Sequence, residues 1–229
     1  MVHLEQLLKF YSVLSQVRAL SGQPDLDILE AEPYGMLLVN DIGRWLHQQP
    51  THEILVLDFL GVRAVTASFA MEAGPVLMQI LARIPALDQR YPFYKLDNPE
   101  HIYTFALVFS TMQWAGLAML GPQIEHSPMI TPLIEDKVST IAVLGTLTAQ
   151  RERILLFADQ LAMKRKYLTS EQLTALDFQI TVTPAARSKR LTELYERRLL
   201  GFLGKQGRER LFMPAWRLED QQIQEHQLS

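Results

Sequence analysis

The sequence predicts an α/β unit followed by a mainly α-helical unit, and three observations carry that expectation. Apolar runs of strand character alternate with helical patterns across residues 25–120, the alternation that builds layered α/β structure. The stretch GPQIEHSPMITP, Gly121 to Pro132, then reads as a linker because it packs three prolines into a dozen residues. Charge divides near the same place. Residues 1–150 hold 8 basic against 15 acidic side chains, a balance of −7, whereas residues 151–217 hold 14 against 7, a balance of +7. From Leu218 onward there are three acids and no base. An acidic body joined to a basic unit is the electrostatic footprint of a nucleic-acid reader attached to something else.

The expected division is an N-terminal helix over 1–24, an α/β domain over 25–120, a linker and connecting helix over 121–150, a basic domain over 151–217 and an acidic tail over 218–229. Residues 2–20 place Leu4, Leu7, Leu8, Tyr11, Leu14 and Val17 at helical spacing, with Gly22 as a stop. MLLVNDIGRWLHQQ reads as a helix broken by Pro50. ILVLDFLGV is continuous in apolar and β-branched residues, as a strand buried on both faces requires. SFAMEAGPVLMQILARI has helical spacing despite Pro75, and FYKLDN reads as a second strand. A helix is expected from Pro99 to about Leu120, with Asn98 as its N-cap and Pro99 in the first turn, where no donor is needed. A long helical pattern is expected from Pro132 to about Lys166.

The basic third opens with the helix RERILLFADQLAMKRKY. In LTSEQLTAL, Thr169 and Gln172 have the spacing of a capping box. DFQITV connects to TPAARSKRLTELYERRLL, which Thr183 caps and Pro184 begins. In GFLGKQGRERLFMP, apolar runs flank Gly204-Lys205-Gln206-Gly207, a hairpin signal with bases at its tip.

Helix, helix, helix, hairpin over about Arg151 to Trp216 resembles bacterial winged helix-turn-helix transcription regulators. The resemblance implies binding of double-stranded DNA, with ITVTPAARSKRLTELYERRLL as turn and recognition helix. On that helix Leu191 and Leu194 form a packing face, and Ala185, Ser188, Lys189 and Thr192 fall opposite, toward the major groove. Small residues at Ala185 and Ala186 allow close approach, and backbone donors there take a phosphate. Thr183 and Arg187 complete the expected contact set on the helix. Arg190 suits a base edge or a phosphate, and Lys205, Arg208 and Arg210 suit the backbone. Two positions depart from the family pattern. Arg187 replaces a valine buried in many relatives, and Arg198 replaces a glycine that often ends the recognition helix.

ILVLDFLGVRAVTASFAMEA resembles the central strand and following helix of STAS-like domains, nearest to the uncharacterised STAS-like group. In the related anti-sigma-factor antagonists the corner reads Asp-Ser-Ser-Gly, and the first serine is phosphorylated by a partner kinase. Here those positions are Thr66, Ala67, Ser68 and Phe69, so the acceptor position has no hydroxyl. Thr66 and Ser68 remain candidate regulatory residues. Ser68 has two readings, a helix N-cap or a phosphate acceptor in another register. Asp58 matches the LDF of the same pattern and is read as structural.

No enzyme chemistry is expected. The six histidines, at 3, 47, 52, 101, 126 and 226, form no i, i+4 pair, and no metal or other cofactor is implied. Glycine-rich phosphate loops and nucleophile elbows are absent, and the adjacent Glu135 and Asp136 read as solvated. The lack of cysteine excludes disulfides and thiolate metal sites and agrees with a cytoplasmic location. The start MVHLEQLLKF lacks the order of a signal peptide, and no apolar run reaches the ~18 residues of a membrane span. The expectation is a DNA-binding transcriptional regulator acting as a homodimer, with the N-terminal helix or the helix from Pro132 as its contact surface. In the alternative, both units bind proteins, as in a partner-switching or defence adaptor.

Overall fold

The computed structural model describes residues 8–49, 54–84, 89–121, 129–135, 140–176 and 183–218. The chain divides into two compact units, residues 1–146 and 147–229. It is mixed α/β, built on a central mixed sheet. Among the described residues no helix is long and apolar enough to cross a membrane.

In the first unit the chain runs β1 (Lys9–Ser12), α1 (Val13–Ser21), β2 (Ile28–Leu29), α2 (Ala31–Gln48), β3 (Ile54–Asp58) and β4 (Ala64–Val65). A continuous rod follows: α3 (Ala67–Met71), a π-helical turn (Glu72–Val76) and α4 (Leu77–Arg83). Then come β5 (Tyr91–Leu96), α5 (Pro99–Thr111), β6 (Gly116–Leu120), β7 (Ile130–Glu135) and β8 (Thr140–Leu144). The sheet order is β1-β3-β5-β6-β8-β7. The first four strands are parallel, and β8 pairs antiparallel with both β6 and β7. The parallel strands advance in one direction, and right-handed crossovers then bring the helices to a single face. Leu55, Leu57, Tyr94, Leu96, Ala118 and Leu120 pack there in one core with α1 to α5. Val56, Phe93, Leu117 and Val143 on the opposite face are also buried, which is why β3 reads as unbroken apolar sequence.

Several local expectations hold. Gly22 ends α1 at φ +68°, and the Asn98 side chain accepts from Glu100 N at 2.9 Å. Pro75 is accommodated by the π-helical turn, where the Tyr94 hydroxyl donates to the Ala73 carbonyl at 3.1 Å. Asp58 is structural: it accepts from Leu60 N at 2.9 Å and pairs with Lys95 at 3.2 Å.

Four expectations are corrected. The helix over 2–20 begins only at Val13; Lys9–Ser12 is a strand on β3, and residues 1–7 lie outside the described set. The helix from Pro99 stops at Thr111. Gln113 turns left-handed at φ +53°, Trp114 N donates to Phe109 O at 2.9 Å, and the chain leaves as β6. Residues 132–166 are no single helix. Isoleucine, threonine and valine at 130, 131, 140, 141 and 143 extend the sheet through β7 and β8, and helix resumes at Ala149. The divisions at 1–24, 25–120 and 121–150 therefore give way to one sheet-centred unit ending at Thr146. The part of the expected linker at 122–128 lies outside the described residues, as does Asp136.

The fourth correction concerns the corner after β4. The N-cap of α3 is Thr66, not Ser68: Thr66 Oγ1 accepts from Phe69 N at 3.3 Å and donates to Leu29 O at 3.2 Å. Ser68 is already inside the helix, exposed, with its hydroxyl 3.1 Å from that of Thr66. Thr66→Ala is expected to cost about 1 kcal/mol in urea unfolding, whereas Ser68→Ala stays within about 0.5 kcal/mol. A larger loss from Ser68→Ala would return the cap to Ser68.

The second unit contains α6 (Ala149–Met163), a 3₁₀ turn (Gln172–Ala175), α7 (Pro184–Glu196), β9 (Leu200–Gln206), β10 (Glu209–Pro214) and a 3₁₀ turn (Ala215–Arg217). Its buried side chains include Ile154, Leu155 and Ala158 of α6, Leu191 and Leu194 of α7, and Leu200, Phe212 and Trp216. Two polar ties close it. Arg151 reaches Glu193 at 2.7 Å, and Asp159 accepts from Trp216 Nε1 and Arg217 Nε, each at 2.8 Å. LTSEQLTAL yields only a 3₁₀ turn, although its capping box forms: Gln172 Oε1 accepts from Thr169 N at 3.0 Å and Thr169 Oγ1 from Gln172 N at 3.3 Å. The connection 177–182 and the acidic tail from 219 lie outside the described residues.

Candidate nucleic-acid interface

The exposed surface of α7 follows from its sequence. Thr183 caps the helix, accepting from Ala186 N at 3.3 Å, and Pro184 occupies the first position. Successive residues turn by about 100°, so Leu191 and Leu194 mark one side and Ala185, Ser188, Lys189 and Thr192 a stripe on the other flank. Ala185, Ser188 and Lys189 are exposed and Thr192 is half-buried, its hydroxyl donating to Ser188 O at 3.0 Å.

Two arginines fall outside that stripe. Arg187 stands four and seven residues before Leu191 and Leu194, on the same face. It is accordingly half-buried, with Nε enclosed and without a hydrogen-bond partner. Arg190 lies on the flank away from Thr192 and is also half-buried. Arg198 ends the helix region in the left-handed conformation, φ +60°, where the resembled family often has glycine. It is buried, and its guanidinium lies over the Tyr195 ring at 5.4 Å.

The hairpin is tighter than expected. Gln206 pairs with Glu209, so the turn is Gly207-Arg208, with Gly207 at φ +61°, and Lys205 lies within β9. The register shifts between Leu211 and Phe212 against Gly204 and Phe202, leaving Leu203 as the extra residue of a bulge. Tyr195, Phe202 and Phe212 hold the hairpin to α7, with ring centroids 5.8–6.3 Å apart. Lys205, Arg208 and Arg210 are exposed.

Helix and hairpin meet in a cleft of about 180 Å³, lined by Ser170, Ser188, Thr192, Arg208, Glu209 and Arg210 over the apolar floor of Leu191 and Phe212. Glu209 is turned onto the wall: its carboxylate accepts from Ser170 N at 3.2 Å and Ser170 Oγ at 2.9 Å. That leaves the two flanking arginines to dominate the opening. Farther round the helix, Arg151 holds the Glu193 carboxyl below the usual carboxylate range, so that acid is occupied too.

The structure therefore gathers Ser188, Thr192, Arg208 and Arg210 in one cleft, with Ala185 and Lys189 on the adjoining stripe and Lys205 on the hairpin. Arg187 and Arg190 are set apart from them. Ser170 and Glu209 were not legible as site residues, because their contact spans 39 positions. Among the described residues no cluster of histidine and acidic side chains suits a metal ion. At the other candidate corner Thr66 caps a helix and Ser68 is exposed, while Ala67 offers no hydroxyl. The chain matches no family model, no curated protein and no solved structure.

Proposed function

We propose that the protein is a DNA-binding transcriptional regulator of the cytoplasm. The second unit acts as a winged helix on duplex DNA, and the first, STAS-like unit binds a partner or senses a signal. What carries the reading is the cleft in which the outer stripe of α7 and the hairpin arginines face one opening. The order also supports it: α6, the bridge of Leu168 to Phe212, a short helical turn, α7 and a two-stranded hairpin follow one another as in the resembled regulators. Ala185, Ser188, Lys189 and Thr192 meet base edges in the major groove, while Lys205, Arg208 and Arg210 meet phosphates. Paired half-sites call for a homodimer.

The test is fluorescence anisotropy of a labelled duplex over a series of salt concentrations. The expected result is affinity that falls steeply and linearly in log–log form as salt rises, as counterion release requires. No duplex binding at low salt overturns the reading and favours an adaptor whose two units both bind proteins.

A further inference from the structure

One end of the helical layer in residues 1–146 combines exposed apolar side chains with unneutralised acids. β2 and β4 pair in parallel, Ile28 with Ala64 and Leu29 with Val65, and each runs almost directly into a helix. Leu29 O accepts from both Thr66 N and Thr66 Oγ1, at 3.0 and 3.2 Å, so the first turns of α2 and α3 start side by side. α5 joins them, packing against both β4 and α3. On these helices Met36 and Leu37 of α2 are each 47% exposed, Met71 of α3 37% and Tyr103 of α5 57%. A grouping of large apolar side chains at one end is the mark of an interaction surface, whereas single exposed ones are ordinary.

The charges around it that lack an ion-pair partner are acidic. Glu30 and Glu32 stand at the start of α2 and Glu100 at the start of α5, all exposed. Among the described residues no cation lies within ion-pair distance of any of them. The nearby bases are committed: Arg63 to Asp27 at 3.1 Å, and Lys95 to Asp58 at 3.2 Å. Below the surface Glu72 lies against Gly35, and its Oε2 has no hydrogen-bond partner.

We propose that this end docks a basic amphipathic helix of a partner protein. Its apolar face covers Met36, Leu37, Met71 and Tyr103, and flanking lysines or arginines meet Glu30, Glu32 and Glu100. A second copy of the chain is disfavoured as occupant, because a two-fold contact through this face sets each of those acids near acids of the same face. An anionic lipid surface is disfavoured by the same charges. The inference rests on the first unit as a partner-binding module and not on DNA binding.

The test titrates the full chain into two labelled designed helical peptides of about 15 residues, the length at which isolated helices become stable. Both carry leucines at i, i+3, i+4 and i+7; one has lysines at the flanking positions and the other glutamates. The lysine peptide is expected to bind at least tenfold more tightly. Leu37→Asp and Tyr103→Asp, at exposed positions and checked for folding by circular dichroism, each weaken it about tenfold, which corresponds to 1.4 kcal/mol. A Glu32→Lys, Glu100→Lys variant transfers the preference to the glutamate peptide. Equal binding of both peptides, binding of neither, or indifference to Leu37→Asp and Tyr103→Asp overturns the proposal. So does a sedimentation dimer that Leu37→Asp abolishes, which assigns the face to a second copy. Duplex anisotropy of the same variants stays at the wild-type value, so failure here and failure of the DNA reading appear in different measurements.

Discussion

Replacing Lys205, Arg208 and Arg210 together with alanine is expected to lower duplex affinity roughly 10²- to 10³-fold near 0.1 M salt and to flatten the log–log salt slope by about 3. Each neutralised phosphate adds about 0.9 to that slope on B-form DNA, so three lost contacts account for both numbers. All three side chains are exposed, and the hairpin is held by the packing of Tyr195, Phe202 and Phe212, which the substitutions leave alone. The thermal transition should therefore stay at the wild-type value. Ser188→Ala and Thr192→Val act differently. On the proposed reading they remove groups that meet base edges, so they are expected to change the ranking of duplex sequences and leave the salt slope unaltered. An unchanged slope in the triple variant would move the contact to another surface.

Phe109→Ala is expected to destabilise the first unit by about 3–5 kcal/mol in urea or thermal unfolding, among the largest losses a core truncation gives. The ring is fully buried and stands edge-on to Tyr94 at 5.6 Å. It fills a slot that three glycines leave open. A Cβ on Gly74 would lie 3.1 Å from Phe109 Cε2, one on Gly116 2.6 Å from Cζ, and one on Gly145 2.9 Å from Phe109 Cβ. Gly145 is doubly constrained, at φ +88° and with the Trp114 carbonyl 2.7 Å from the same Cβ position. Gly116→Ala is thus expected to destabilise the wild type and to cost much less beside Phe109→Leu, a coupling that a double-mutant cycle reads directly. Additive losses would show that the ring and Gly116 do not compete for the space.

The elements most legible in the sequence are those whose signals are short-range. β3 is continuous in apolar residues because both its faces are covered. Asn98 and Thr183 precede proline at helix starts, Gly22 ends a helix, and Thr169 with Gln172 forms a reciprocal cap; in each the partners lie within a few positions. The missed elements share the opposite property. Leu117 to Leu120 is an apolar run and Ile130 to Ile134 a mostly apolar one, each compatible with helix and strand, and pairing with residues up to 26 positions away in sequence decides between them. The cap at the Thr66 corner is another such case. Both hydroxyls suit the role, and Thr66 takes it because the Leu29 carbonyl, 37 positions upstream, anchors its hydroxyl.

The same division runs through the candidate interface. Charge, periodicity and turn chemistry are properties of neighbouring residues, and they are enough to read a basic unit, the cap and face of α7, and a hairpin carrying Lys205, Arg208 and Arg210. Which of those residues share an opening depends on the packing of the folded chain. It set Ser188 and Thr192 beside Arg208 and Arg210, turned Glu209 onto Ser170, and drew Arg187 toward the face of Leu191 and Leu194. The physical reason is that a helix face becomes an inside or an outside only when another element packs on it, and the packing partners here lie tens of residues away along the chain.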